Sequence, residues 1–183
     1  MEDGSYWFVN YCEYSKWVHV EKVRTTDEDN IERVLEPLFD YLGVPIIYKT
    51  DNGSPFQSAR FAAFAAAKGF THRKVTPEWP RANGGVESVM KKLGKVLRIA
   101  KVTQQDKNKL LTDFLRRYRE TPHPSTKVAP AILLLGRSRS SGIPQLVERH
   151  DQARLDRIHA YARRNHHIAA TRMKAEYDRT STG

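Results

Sequence analysis

Asp51 opens the run Asp-Asn-Gly-Ser-Pro-Phe (51 to 56), Glu87 closes the run Pro-Arg-Ala-Asn-Gly-Gly-Val-Glu (80 to 87), and thirty-five residues separate the two carboxylates. Both runs limit the backbone tightly. Asn52-Gly53 forces a turn directly after Val-Pro-Ile-Ile-Tyr-Lys-Thr (44 to 50), which reads as a buried strand carrying Asp51 at its C-terminal end. A long helix starts near Gly84, with Val86, Val89, Met90, Leu93, Val96, Leu97 and Ala100 on one face and Glu87 in its first turn. Pro77 and Pro80 stiffen the loop before it. A chain that ends a strand at one carboxylate and begins a helix at the other is constrained toward an α/β layer arrangement, and open α/β sheets place their chemistry at the C-terminal ends of strands.

The rest of the chain supplies the layers. Residues 6 to 12 and 16 to 23 are rich in aromatic and β-branched side chains and read as an antiparallel hairpin. Thr25 and Glu28 fit a capping box, and Ile31, Val34, Leu35, Leu38, Phe39 and Leu42 follow at helical spacing up to Gly43, with a kink expected at Pro37. A short Ala/Phe helix (58 to 68) stops at Gly69, and residues 70 to 75 form another strand. Further helices are expected over 105 to 120 and 128 to 136. Beyond residue 138 the sequence turns polar and Arg/His-rich, so the division expected is a core over 1–137 and a basic helical arm or linker, partly disordered, over 138–183.

The net charge of +10 suggests a polyanionic partner, and its distribution sharpens that reading. Residues 1 to 70 carry 7 Lys+Arg against 11 Asp+Glu, residues 71 to 137 carry 15 against 5, and residues 138 to 183 carry 9 against 5. Positive charge thus begins where the Glu87 run begins. One cysteine, Cys12, excludes an internal disulfide and any multi-Cys zinc site, and fits a reducing compartment as a buried side chain. No run is apolar enough for a membrane span, and the first residues lack a secretory leader. The seven His residues form no zinc-ligand pattern, and His166-His167 reads as a polar helix face. Trp7, Trp17 and the Phe61/Phe64 pair read as core rather than as base-stacking platforms.

Two-metal phosphoryl transfer needs carboxylates converging from separate elements, and hard oxygen ligands imply Mg²⁺, with Mn²⁺ as a substitute. In this sequence the Asp51-Asn52-Gly53 run with Phe56, Phe61 and Phe64, then His72, Pro77 and Pro80, Asn83-Gly84 before Glu87, and Lys91 onward together resemble the catalytic core of retroviral and LTR-retrotransposon integrases. Tyr14 to Trp17 resemble the hairpin after that family's first strand, and Thr121-Pro122-His123 with residues 130 to 137 resemble the end of the core in gypsy-class elements. The resemblance covers about residues 5 to 137.

That resemblance implies a ribonuclease H-like fold, a mixed sheet flanked by helices. It assigns Asp51 and Glu87 as catalytic metal ligands for DNA end processing and strand transfer; Lys91 and Lys95, four and eight positions after Glu87 on the same side of the helix, read as DNA contacts, and Asn83 as a DNA contact or a helix cap. In the family the first Asp of the triad lies on a central strand about fifty residues before the second; here that position falls before Met1, so an N-terminally truncated core with impaired catalysis is expected. Asp3 and Glu13 are poor substitutes for that ligand. The alternative is a non-catalytic DNA-binding or dimerisation module derived from an integrase. DNA and a second copy of the chain are the expected partners, and the nucleus, or else the cytoplasm, is the expected location. The Arg-rich arm (Arg149, Arg154, Arg157, Arg163, Arg164, Arg172) reads either as a nucleic-acid track or as a solubilising face.

Overall fold

The computed structural model describes residues 4–75, 84–137 and 152–180, and these form two compact units, Met1–Tyr11 with His19–Lys91 and Cys12–Val18 with Lys92–Gly183. Asp3, Pro77, Pro80, Asn83 and the 138 to 151 segment, including Arg149, lie outside the described residues.

In the first unit β1 (Tyr6–Tyr11) pairs with β2 (Val18–Val23). So short a connection returns the chain antiparallel, because parallel neighbours need a crossover of a dozen residues or more. Next comes α1 (Glu28–Leu42), which buries Ile31, Val34, Leu35 and Phe39 at the spacing seen in the sequence. Its cap differs from expectation. Asp27, not Thr25, accepts the Asn30 N–H at 2.9 Å, while the Thr25 hydroxyl donates to the Asp27 carboxylate. A carboxylate also suits the positive end of the helix dipole better than a hydroxyl. Pro37 sits inside a helix that runs on to Leu42.

After α1 the chain makes a strand–helix–strand crossover. β3 (Ile47–Thr50), α2 (Ser54–Gln57), α3 (Ala59–Lys68) and β4 (Thr71–Lys74) follow in order. β3 and β4 are parallel, with Tyr48 opposite His72 and Thr50 opposite Lys74. Ser58 caps α3 by accepting the Phe61 N–H at 3.1 Å, and Gly69 ends it at φ 80°, a left-handed conformation that costs glycine nothing. The 44 to 50 strand was expected to be buried throughout; instead Ile46 is 85% and Ile47 45% exposed, and the covered side chains are Tyr48 and Thr50. Ile47 points to the face opposite Tyr48 and Thr50, and Ile46 precedes the strand.

The core of this unit is aromatic. Ile31, Leu35, Phe39, Phe61, Phe64, Ala65 and Phe70 form one buried cluster, with Phe8, Leu38, Tyr48 and Phe56 packed against it. Phe61 is the centre, meeting Phe56 at 5.2 Å and 82°, Phe70 at 6.2 Å and 61° and the His72 ring at 4.9 Å and 76°. Such edge-to-face pairs add about 0.5–1.5 kcal/mol each beyond the area buried. Outside the cluster, Arg60 of α3 reaches both carboxylate oxygens of Glu32 on α1, at 3.1 and 3.0 Å, and Asp29 at 2.5 Å. Lys68 pairs with Glu36 at 3.0 Å. These are surface pairs that fix register more than they stabilise.

α4 (Gly84–Thr103) leads from the first unit into the second. Val89, Leu93 and Ala100 are buried on it, but Met90, expected on the same stripe, is 46% exposed. The second unit continues through α5 (Lys107–Glu120), α6 (Pro130–Leu135) and α7 (Gln152–Thr180). Asp106 caps α5, accepting from the Asn108 and Lys109 amides. The 12 to 18 segment belongs to this unit: Ser15, Lys16, Trp17 and Val18 are all buried. Arg119 lies over the Trp17 ring at 4.4 Å and donates twice to the Val18 carbonyl, at 3.0 and 2.8 Å. α7 docks through Ala162, which joins Val128 and Leu133 in a small core with Ile132 and Ile158 at its edge.

His123 of this unit accepts the Ser125 amide at Nδ1 (3.3 Å) and meets the Tyr118 ring edge-on at 6.3 Å. Burial, and then the charges of Lys16, Lys92 and His166, push its pKa down to about 4.

Phe61→Ala is expected to cost about 3–5 kcal/mol in urea unfolding, since it opens a cavity at the centre of the aromatic cluster. Between pH 6.5 and 4 the unfolded chain binds a proton at His123 that the folded chain does not, so stability present above the unfolded value is lost as pH falls through that window. Urea midpoints at pH 7 and pH 4.5 should show a smaller drop for His123→Gln than for the unaltered chain.

Candidate metal and DNA site

Asp51 directly follows β3, where the parallel pairing with β4 ends. Its carboxylate is exposed, and one oxygen accepts the Gly53 amide at 3.1 Å, so the side chain folds the Asn52-Gly53 turn back on itself. A Cβ on Gly53 would stand 3.0 Å from that same oxygen. Glycine here lets the carboxylate and the turn close together.

Behind Asp51 is a small polar lock that the sequence reading missed. Thr50 is 9% exposed; its hydroxyl donates to the Asp51 carbonyl at 2.9 Å and lies 2.8 Å from His72 Nε2 on the neighbouring strand. With the hydroxyl hydrogen committed to the carbonyl, the ring donates from Nε2. Burial first, and then the Lys74 charge, lower the His72 pKa, which favours the neutral ring. The Asp51 backbone is therefore tied to β4 as well as to β3. His72 sits in the resemblance, yet no periodicity marks a hydrogen bond across a parallel pair.

Glu87 occupies the first turn of α4 and is exposed. A carboxylate there is favoured by the unpaired amides and dipole of a helix N-terminus. The position of that turn is set by contact with β1: a Cβ added to Gly85 would come within 2.6 Å of the Tyr11 ring, whereas one on Gly84 would meet nothing within 4 Å. Gly85 thus allows a close approach that a side chain would permit only if the Tyr11 ring shifted. Lys91 and Lys95 lie one and two turns beyond Glu87 on α4, both exposed. Asn83 lies outside the described residues.

Asp51 and Glu87 are hard oxygen donors of the kind Mg²⁺ takes, and both belong to the first unit. Among the described residues no group of three or more His, Cys, Asp or Glu side chains gathers to hold a metal ion. Glu13, weighed as a substitute ligand, belongs to the other unit. Among the described residues no helix is long and apolar enough to cross a membrane.

Residues 1–80 match the integrase core domain family model. An uncharacterized Caenorhabditis elegans protein is 28% identical over 121 residues, a match spanning 66% of this chain and 10% of the worm protein. Among solved structures, the chain is similar to the simian T-cell lymphotropic virus intasome (TM-score 0.58, 17% identity), over 79% of this chain and 58% of that one. It is also similar to the catalytic core domain of BIV integrase (0.56, 15%), over 72% and 93% of the two chains. The HTLV-2 integrase catalytic core domain in complex with magnesium, in a trimeric form, matches at 0.52 and 14%, over 69% and 90%. The resemblance read from the carboxylate runs and the ribonuclease H-like fold class are borne out. The sheet itself appears, among the described residues, as two two-stranded pieces.

A double-mutant cycle checks the contact that positions Glu87. Gly85→Ala should destabilise the chain, and Tyr11→Leu should relieve part of that cost, giving a coupling of about 0.5–3 kcal/mol; additive effects would mean that the ring does not hold the helix start.

Proposed function

We propose that this chain, a relative of integrases in sequence over residues 1–80 and in fold, serves DNA integration, with Asp51 and Glu87 as ligands of Mg²⁺ or, as a substitute, Mn²⁺. The observation that carries this reading is the mounting of the two carboxylates. One stands at the end of a parallel strand, tied through Thr50 and His72, and the other in a helix turn set by Gly85 against Tyr11. Metal ligands that must not drift are placed on elements of this kind. Bound metal would supply Lewis acidity for attack on a phosphodiester, by water in end processing and by a 3′ hydroxyl in strand transfer.

Lys91 and Lys95 are read as phosphate contacts that orient the DNA along α4, with Asn83 just before the helix as a further contact. They lie in the stretch where positive charge is concentrated, residues 71 to 137 with 15 Lys+Arg against 5 Asp+Glu. The worm relative is about ten times longer than the matched part, so the activity and partners of a whole protein of that kind are not carried over. Self-association as a dimer and a nuclear location complete the proposal. Divided into a core over 1–137 and an arm over 138–183, the chain would carry the chemistry in its first part.

Mn²⁺ should broaden the NMR signals of Asp51 and Glu87 selectively, and Asp51→Asn should abolish that broadening at both; unaltered broadening would sink the metal assignment. Lys91→Gln and Lys95→Gln should each lower the salt slope of duplex DNA binding by about 1. DNA binding that keeps its slope in both variants would remove α4 from the interface. Salt-sensitive binding with no Mn²⁺ response at either carboxylate would favour the non-catalytic DNA-binding module.

A further inference from the structure

The second unit holds a concentration of basic groups that the carboxylate site does not use. α7 lies against the 12 to 18 turn through two histidines seven residues apart, which places them on one helix face. His159 stacks on the Tyr14 ring (5.7 Å, 11°) with Nδ1 2.5 Å from the Tyr14 hydroxyl, and His166 Nε2 lies 3.2 Å from the Lys16 ammonium. Beside His166 opens a pocket of about 300 Å³, walled by Tyr14, Thr126, Arg163, His166, His167 and two alanines of α7.

Lys16 is the unusual member. It is 7% exposed, its backbone stands at φ 65°, and its ammonium also donates to the Glu13 carbonyl at 2.5 Å. A non-glycine residue in the left-handed region and an ammonium out of water both cost free energy, and such costs cluster at sites that bind something. Burial lowers the Lys16 pKa against the opposing pull of Glu13 and Cys12, and burial, then Lys16, lowers that of His166. Because an ammonium only donates, His166 accepts at Nε2, and its ring proton is left on Nδ1 as a further donor. Arg163 and His167, both exposed on α7, add donors at the rim. Apolar walls of alanine and tyrosine strengthen every charge interaction inside.

We infer that this pocket binds a phosphate group, with Arg163, His166 and His167 as direct donors and Lys16 as the buried charge behind them. The pocket is larger than a bare phosphate, so the bound species is a phosphate ester, either a DNA backbone phosphate or a free nucleotide. This inference is independent of the Asp51 and Glu87 assignment.

The test is a titration of the full chain with inorganic phosphate at constant ionic strength, following the histidine ring signals by NMR. His166 and His167 should shift saturably and the His166 titration midpoint should rise, while His19 and His72 of the other unit stay still. Arg163→Gln, a surface change that leaves folding intact, should weaken phosphate binding about tenfold, the loss of one charge-assisted hydrogen bond. Asp51→Asn should change nothing. Displacement of phosphate by a short duplex would identify the backbone as the source, and displacement by a 5′-mononucleotide but not the duplex would identify a free nucleotide. Shifts reproduced by chloride, an Arg163→Gln variant that binds equally well, or failure of both esters to compete would each overturn the assignment.

Discussion

The packing of Phe61 against its aromatic neighbours is the contact on which the first unit depends. The ring belongs to α3, yet it touches Phe56 before the helix, Phe70 after it and His72 on β4. One side chain thus holds both ends of the crossover between β3 and β4, and their parallel register follows from how that crossover packs. The register in turn sets the site. Tyr48 opposite His72 brings the imidazole beside Thr50, and Thr50 holds the carbonyl of Asp51. A hydrophobic contact inside the unit thereby limits the position of an exposed carboxylate with which it has no direct contact.

Much of this was legible in the sequence, for reasons that can be stated residue by residue. α3 was readable because Gly69 is a strong stop signal after an Ala/Phe run, and it acts as the C-cap. Glu87 in the first turn of α4 was readable because an apolar stripe follows two glycines at helical spacing. What escaped was whatever depends on a partner far away in the chain. Ile46 and Ile47 looked like core because they are apolar, but whether an apolar strand residue is covered depends on what packs over it. Met90 fell on the predicted stripe of α4 and is exposed for the same reason. The Thr25 cap was misplaced by two residues because Thr25 and Asp27 both satisfy the local pattern, and only geometry separates them.

The histidines illustrate the same limit from the opposite side. His166-His167 reads as polar surface on α7 and both are exposed, yet His166 also accepts from a lysine 150 positions earlier. Nothing in a window of ten or twenty residues contains that information. The buried Lys16 was equally invisible, since lysine in a turn ordinarily points to water.

α7 carries a mechanical consequence. Twenty-nine residues make a helix of about 43 Å, but its buried and half-buried residues end at Ala169, and residues 171 to 179 are exposed all round. Met173 and Tyr177, at 64% and 53% exposure, continue the side that Leu155, Ala162 and Ala169 bury farther back. The helix is therefore clamped at one end and overhangs at the other, like a cantilever. A few degrees of tilt at the Ala162 clamp become a displacement of an ångström or more at the tip, so the clamp's histidine contacts set how far the last turns can swing.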